Sequence, residues 1–459
     1  MRPFEFLLLV TAVPFFLWPL ISKQQRPLWN AALPFLALLF LIIHLVIEGY
    51  RWQMLPAYGL TAVLFLYATW QLLRTRRKPR PAGSSETPVR RRRIVPVLLG
   101  LTGLLATTTA AILPVALPVP RLLKPTGPYA IGTVTYYWID DSRQEQNGPT
   151  PGDGPRELMV QLWYPALAQP DLEPLPWHPD IKAAGPALAN TLDMPSFLLD
   201  HLVLARTHSL AGVPLAGGLA QYPVLIFSHG LGGVRMQNTF QMEELASHGF
   251  IIAAIDHTYG GAITIFPDGR VALFDPSTLE GDISLAGNRL IHIWMEDGRF
   301  VLDQLEQLNA NDPDNRFTGR LNLEKIGYFG HSTGGGTAFL FCQIDERCGA
   351  GIALDGWLEP LAEEADTRPI TRPFLFLKAE NWSTPENSAA ILAADEKRQA
   401  EGTLITLPGT GHYNFSDLPL LTPLTPQMGL TGSANGRETL EAINAYTLSF
   451  FNQHLPLPR

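Results

Sequence analysis

Lys325-Ile-Gly-Tyr-Phe-Gly-His-Ser-Thr-Gly-Gly-Gly336 joins a short apolar run (Ile326, Tyr328, Phe329) through a turn at Gly330, His331, Ser332, Thr333 and Gly334 to a helix start at Thr337. A serine with glycines two residues to either side, between a strand and a helix, is the pattern of a nucleophile elbow. Chemistry explains that spacing. A serine hydroxyl is a weak nucleophile and must stand at a strained turn where a base can take its proton. The glycines let strand and helix approach without a clash of Cβ atoms. The first N–H groups of the helix face the place where an oxyanion would form. An ordinary glycine-rich turn gives the same letters, and the strand before and helix after it favour the elbow.

Around this turn the chain alternates. Apolar runs predict strands at 131–139, 157–164, 222–227, 250–255, 351–354, 374–377 and 403–407, and longer amphipathic segments predict helices at 237–248, 291–308 and 437–454. The uninterrupted apolar run 222–227 is expected of a strand buried on both faces. The rhythm predicts an α/β fold, a mostly parallel doubly wound sheet with reactive residues at the carboxyl ends of its strands. A hairpin at 262–274 interrupts it, as a pocket wall or as a surface excursion, and 171–214 carries no clear pattern.

A serine that transfers acyl groups needs a base, an orienting acid and oxyanion donors. Chain order puts the base after the serine, where His412 follows a strand and His454 closes the last helix. His412 is the expected base. Two acids follow strands: Asp355 after 351–354 and Glu380 after 374–377, and spacing alone leaves both open. Ser228-His-Gly-Leu-Gly-Gly233 follows the strand 222–227 and matches an oxyanion loop of the HGGG type, so the N–H groups of Leu231 and Thr333 are the expected donors. His229 is read as a hydrogen-bonding residue of that loop bordering the substrate pocket. Trp357, Tyr413 and Phe415 stand beside the acid and base as pocket walls or as core. Such a site requires neither a metal nor an organic cofactor, since imidazole and backbone N–H groups suffice.

The first part of the chain is different. Residues 1–124 hold 15 basic and 3 acidic side chains, a net of +12, whereas the rest holds 19 basic and 39 acidic, a net of −20. An acidic catalytic part argues against a nucleic-acid partner. Four apolar stretches, 4–21, 28–47, 56–73 and 94–119, are each near the length that crosses a bilayer and predict four transmembrane helices. His44 falls inside the second and is read as a packed helix residue. The arginine-rich connection 74–93 belongs in the cytoplasm by the positive-inside rule, and Lys23 and Arg26 fall on the same side. The expected layout is a membrane region 1–124 and an α/β domain 125–459 outside the cytoplasm, in an integral protein of a bacterial plasma membrane. Cys342 and Cys348 are the only cysteines, and outside the cytoplasm a disulfide between them is expected.

Ser228-His-Gly-Leu-Gly232, Gly330-His-Ser-Thr-Gly-Gly335, Gly351-Ile-Ala-Leu-Asp-Gly-Trp357 and the histidine loop at 412 together resemble the plasma-type platelet-activating factor acetylhydrolases and related bacterial lipases and polyester hydrolases. The resemblance covers residues 125–459 and implies an α/β-hydrolase fold. It implies that Ser332 is nucleophile, His412 base and Asp355, rather than Glu380, the acid. The implied activity is hydrolysis of carboxylic esters, short-chain lipid or phospholipid acyl groups among them. An acyltransferase with the same acyl-enzyme, or an idle hydrolase fold used as a binding module, are the alternatives.

Overall fold

The computed structural model describes residues 1–22, 24, 26–76 and 94–457. The chain forms two compact units, Met1–Val119 and Pro120–Arg459.

The first unit is built from helices α1 (Pro3–Ile21), α2 (Leu28–Ile43, continued by a π-helical turn His44–Glu48), α3 (Leu55–Arg76) and α4 (Ile94–Ala116). Among the described residues, three helices are long and apolar enough to cross a membrane: Pro3–Ile21, Leu28–Glu48 and Ile94–Ala116. The expected fourth span, α3, has the length, but Tyr58, Thr61, Tyr67, Thr69 and Gln71 dilute its apolar character. Residues 77–93 of the arginine-rich connection, and Lys23, lie outside the described residues. Helices α1 and α4 meet at Gly103, where a Cβ would fall about 2.0 Å from the Phe16 ring, so only glycine allows this approach. One end of the unit carries buried polar groups. Glu5 accepts from Arg51 Nη2 at 3.1 Å, while His44 bonds to Glu48 (Nδ1, 2.8 Å) and to Tyr58 (Nε2, 2.7 Å).

The second unit contains strands β1 (Ala130–Gln144), β2 (Pro155–Ala166), β3 (Ser209–Ala211), β4 (Tyr222–Ser228), β5 (Ile251–Asp256), β6 (Ile263–Ile265), β7 (Val271–Leu273), β8 (Leu321–His331), β9 (Cys348–Leu354), β10 (Phe374–Ala379) and β11 (Gly402–Leu407). Nine of them form one sheet in the order β11-β10-β9-β8-β4-β5-β2-β1-β3, and β6 and β7 pair as the expected hairpin. From β5 to β11 all neighbours are parallel, whereas β2 pairs antiparallel with both β5 and β1. Side chains of β4 alternate between the two cores. Val224 and Ile226 join one apolar cluster, Leu225 and Phe227 the other, which is the period-two pattern of a strand covered on both faces.

Helices α5 (Ile181–Thr191), α6 (Thr239–Ser247), α7 (Ile283–Ala310), α8 (Thr333–Ile344), α9 (Ala362–Thr367), α10 (Pro385–Glu396), α11 (Leu418–Leu421) and α12 (Gly436–His454) connect and cover the strands. The stretch without a clear sequence pattern folds as α5 and a 3-10 segment, Ser196–Leu204. The β6–β7 hairpin packs through Phe266 and Ala272 onto Met159 and Tyr137. Cys342 and Cys348 form a disulfide between the end of α8 and the start of β9. This is the α/β-hydrolase fold, with the β8–α8 turn at the centre of the sheet.

Candidate active site

The turn between β8 and α8 holds Ser332 at φ 55°, ψ −119°, a conformation that side-chain-bearing residues rarely adopt. Close packing enforces it. A Cβ on Gly330 would lie 2.2 Å from the carbonyl oxygen of Gly334, and one on Gly334 would lie 2.1 Å from that of Ser228. Backbone bonds tie the turn to the next strand end: Ser332 N–H donates to Leu354 O (3.0 Å) and Trp357 N–H to Ser332 O (2.8 Å).

Asp355 follows β9 with φ 44° and is buried. Its Oδ2 accepts from His412 Nδ1 at 2.7 Å and its Oδ1 from Ala379 N–H at 2.8 Å. With Nδ1–H committed to Asp355, the imidazole of His412 keeps its lone pair on Nε2. Glu380 is elsewhere. Its Oε2 accepts from Gly409 N–H at 2.8 Å on the exposed side of the loop, so of the two acids left open by spacing only Asp355 meets the histidine.

The loop after β4 presents Leu231. Gly232 N–H donates to Gly260 O (2.9 Å) and Gly233 N–H to Gly230 O (2.8 Å), and among the described residues no carbonyl accepts the Leu231 N–H. Thr333 opens α8, where first-turn N–H groups have no helical acceptor.

Ser332, His412, Leu231 and Tyr413 border one cavity of about 330 Å³. Two expected pocket residues are absent from its wall. His229 turns inward: its Nδ1–H donates to Gly230 O (2.7 Å), its Nε2 accepts from His257 N–H (3.2 Å), and its ring packs edge-on against Trp294. Burial pushes its imidazole below the usual range. Trp357 lies against α7, its ring filling the space that Gly287 leaves open. Phe415 is core.

Several wall residues had no signal in the sequence reading. Trp382 stacks on His412 with ring centres 3.5 Å apart and planes 16° from parallel. His331 Nε2–H donates to the carbonyl of His412 (3.1 Å), and its Nδ1 accepts from Gln237 Nε2 (2.9 Å). Gln237 Oε1 in turn accepts from Gly230 N–H at 3.1 Å, linking the loop after β4 to the histidine loop. Burial, then the neighbouring His412, holds His331 well below the usual imidazole range and so neutral. Asp417 also lines the cavity, and burial pushes its carboxyl up to about 7, even though Trp177 Nε1 (2.8 Å) and the N–H groups of Thr239 and Phe240 (both 3.1 Å) donate to it.

Residues 119–269 and 300–459 match the family described as platelet-activating factor acetylhydrolase, isoform II. The chain is similar to the platelet-activating factor acetylhydrolase of Cavia porcellus, 27% identical over 329 residues that cover 65% of this chain and 73% of that one. It is 30% identical over 269 residues to the enzyme of the same name from Bos taurus, covering 52% of this chain and 58% of that one. Among solved structures it resembles a ferulic acid esterase from Streptomyces cinnamoneus, with a TM-score of 0.59 and 28% identity over 73% of this chain and 93% of that one.

Proposed function

From the premise that this chain belongs to the platelet-activating factor acetylhydrolase, isoform II family and is a carboxylic ester hydrolase, we propose that it cleaves lipid or phospholipid acyl esters by way of Ser332, His412 and Asp355. The observation that carries this reading is the bond from His412 Nδ1 to the buried Asp355 carboxylate, on the same cavity as the strained Ser332.

In this mechanism His412 Nε2 takes the proton of Ser332 Oγ as the oxygen attacks the ester carbonyl carbon. The carbonyl π pair moves onto its oxygen, and the N–H groups of Leu231 and Thr333 hold the resulting oxyanion. One such donor is worth on the order of a hundredfold to a thousandfold in rate. Collapse of the intermediate breaks the bond to the alcohol oxygen, which leaves with the proton from His412. Water then adds to the acyl-enzyme with His412 again as base, and the acid departs as Ser332 recovers its proton. Asp355 keeps the imidazole in the tautomer with its lone pair at Nε2 and stabilises the imidazolium.

The helices of residues 1–124 serve in this proposal as a membrane anchor, with the catalytic part, 125–459, outside the cytoplasm. Three helices long and apolar enough to cross a membrane and the basic connection 74–93 support this, and the Cys342–Cys348 disulfide suits an oxidising compartment. Placement at a bilayer suits a lipid substrate.

The deciding experiment is ester hydrolysis by the detergent-solubilised full chain and its Ser332→Ala variant, with fluorophosphonate labelling of both. Turnover and labelling that vanish together in the variant support the reading. Unaltered turnover in Ser332→Ala sinks it.

A further inference from the structure

The cavity beside Ser332 is far larger than an acetyl group needs, and its walls are set up for hydrocarbon. We propose that it is an acyl pocket that selects straight chains of roughly six to ten carbons, counting each carbon as about one water-sized group of roughly 30 Å³, with α5 and the segment Ser196–Leu204 as its specificity-determining wall. The inference rests on the acyl-enzyme reading above and refines its expectation of a short chain.

Three observations lead to it. The first is volume. About 330 Å³ is room for on the order of ten water-sized groups, whereas an acetyl group fills about two.

The second is composition. Leu188 and Leu192 at the end of α5, Leu199 and Leu202 of the 3-10 segment, and Leu418 and Leu421 of α11 all line the space. Three of the polar side chains among them are already committed. Thr191 Oγ1 donates to Ala187 O (3.2 Å), Ser416 Oγ to Tyr413 O (2.9 Å), and Trp177 Nε1 to Asp417 (2.8 Å). Asp417 is further held by the first-turn N–H groups of α6. The wall therefore solvates a hydrocarbon tail better than a polar one.

The third is direction. The departing alcohol oxygen must receive its proton from His412, so the alcohol lies on the side of His412 and Trp382. The acyl chain, bonded to the other side of the same carbon, then has the rest of the cavity, whose lining includes Leu231, Val234 and the α5 leucines. Each methylene buried there is worth about a fourfold gain in kcat/KM, if transfer from water is fully realised in the transition state.

The test is a series of p-nitrophenyl esters from acetate to palmitate, each below its micellar concentration, with the full chain in detergent. The expected profile rises by on the order of a hundredfold in kcat/KM from acetate to octanoate, as when about half of the transfer energy of each added methylene is realised, and falls again by palmitate. Leu188 and Leu421 are partly exposed wall residues, so an indole can replace either without opening the core. Leu188→Trp and Leu421→Trp should each lower the octanoate-to-acetate ratio about tenfold, with fluorophosphonate labelling of Ser332 reporting that each variant is folded. A profile that is highest at acetate and declines steadily, with the ratio unmoved in both labelled variants, overturns the acyl pocket while leaving the serine mechanism standing. No hydrolysis of any ester and no labelling of Ser332 overturns both.

Discussion

Ser228 Oγ lies 2.8 Å from His257 Nε2, and the other nitrogen of that ring lies 2.8 Å from Asp297 Oδ2. The chain thus contains a second Ser-His-Asp row that water does not reach, since Ser228, His257 and Asp297 are all fully buried. Trp294 stacks on the His257 ring at 4.1 Å, and Ser228 also bonds to Tyr328 OH at 2.8 Å. A serine in that position cannot meet an ester. Its row is one branch of a polar network in which burial pushes the Asp297 carboxyl up, and Arg156 and Arg143 outweigh that and hold it well below the usual range.

Asp297→Asn should therefore act on stability. It leaves the buried Arg156 guanidinium with one carboxylate, Glu145, in place of two, and breaking a buried pair costs about 3–5 kcal/mol. The thermal midpoint of the variant should fall by several degrees. Ser228→Ala should still be labelled by fluorophosphonate at Ser332. Labelling found at Ser228 would contradict this division of roles.

The bond between His412 and Asp355 gives the sharpest test of the catalytic assignment. Asp355→Asn leaves the imidazole free to take the wrong tautomer, and a loss of about 10⁴ in kcat is expected. Glu380→Gln touches only the exposed bond to Gly409 N–H and should change kcat by less than a few-fold. Steady-state kinetics on one activated ester distinguish them, and equal losses would mean that the acid has been misassigned.

These features differ in how far the sequence revealed them, and the reason is physical. The elbow, β4 and the final helix are local: glycine spacing, a run of apolar residues and a 3.6-residue period each encode themselves within a dozen positions. The choice between Asp355 and Glu380 is not local, because both follow strands, and only the positive-φ turn at Asp355 aims a carboxylate at a histidine 57 residues away. His229 and Trp357 read as pocket residues from proximity in the chain, yet tertiary packing turned each toward α7 or its neighbours. The antiparallel run of β1 and β2 was legible as two strands but not in its direction. The α5 leucines were hidden because 171–214 mixes short helical turns with prolines.

Gln237 joins two halves of the site, accepting from Gly230 N–H and donating to His331, which donates to the carbonyl of His412. It touches no reacting atom in the mechanism, so it is a positioning residue. Gln237→Leu should release both loops and lower kcat by about tenfold to a hundredfold with little change in KM, as small misplacements of reacting groups do. A KM effect with kcat preserved would instead place Gln237 in substrate binding.

The disulfide bears on topology. Cys342 and Cys348 are buried, so the test is made in SDS: if the catalytic unit lies outside the cytoplasm, both should be unreactive toward maleimide in freshly extracted, denatured membranes until a reductant is added, since cytosolic thiols are kept reduced. The six-residue separation closes a short loop, so Cys342→Ala should cost only about 2 kcal/mol in the chain-entropy description. Two free thiols before reduction would place the unit on the cytoplasmic side.

His178 supplies the pH dependence. Burial, and secondarily Arg235, pushes its imidazole down from 6.5 to about 4. Between those values the unfolded chain binds a proton that the folded chain refuses, so stability falls as pH drops from 6.5 toward 4 and is constant on either side. At about 1.4 kcal/mol for each unit, the full loss is of the order of 3 kcal/mol. Asp417 works in the opposite sense: raised to about 7 by burial, it binds its proton more readily when folded and costs stability as pH rises. A single melting curve against pH mixes the two. Comparing wild type with His178→Gln cancels the Asp417 contribution, because both proteins carry it. The wild type should then lose thermal stability relative to the variant as pH falls from 6.5 to 4, with the difference levelling off below. A constant difference across that range would mean that His178 accepts its proton in the folded state as readily as in the unfolded one.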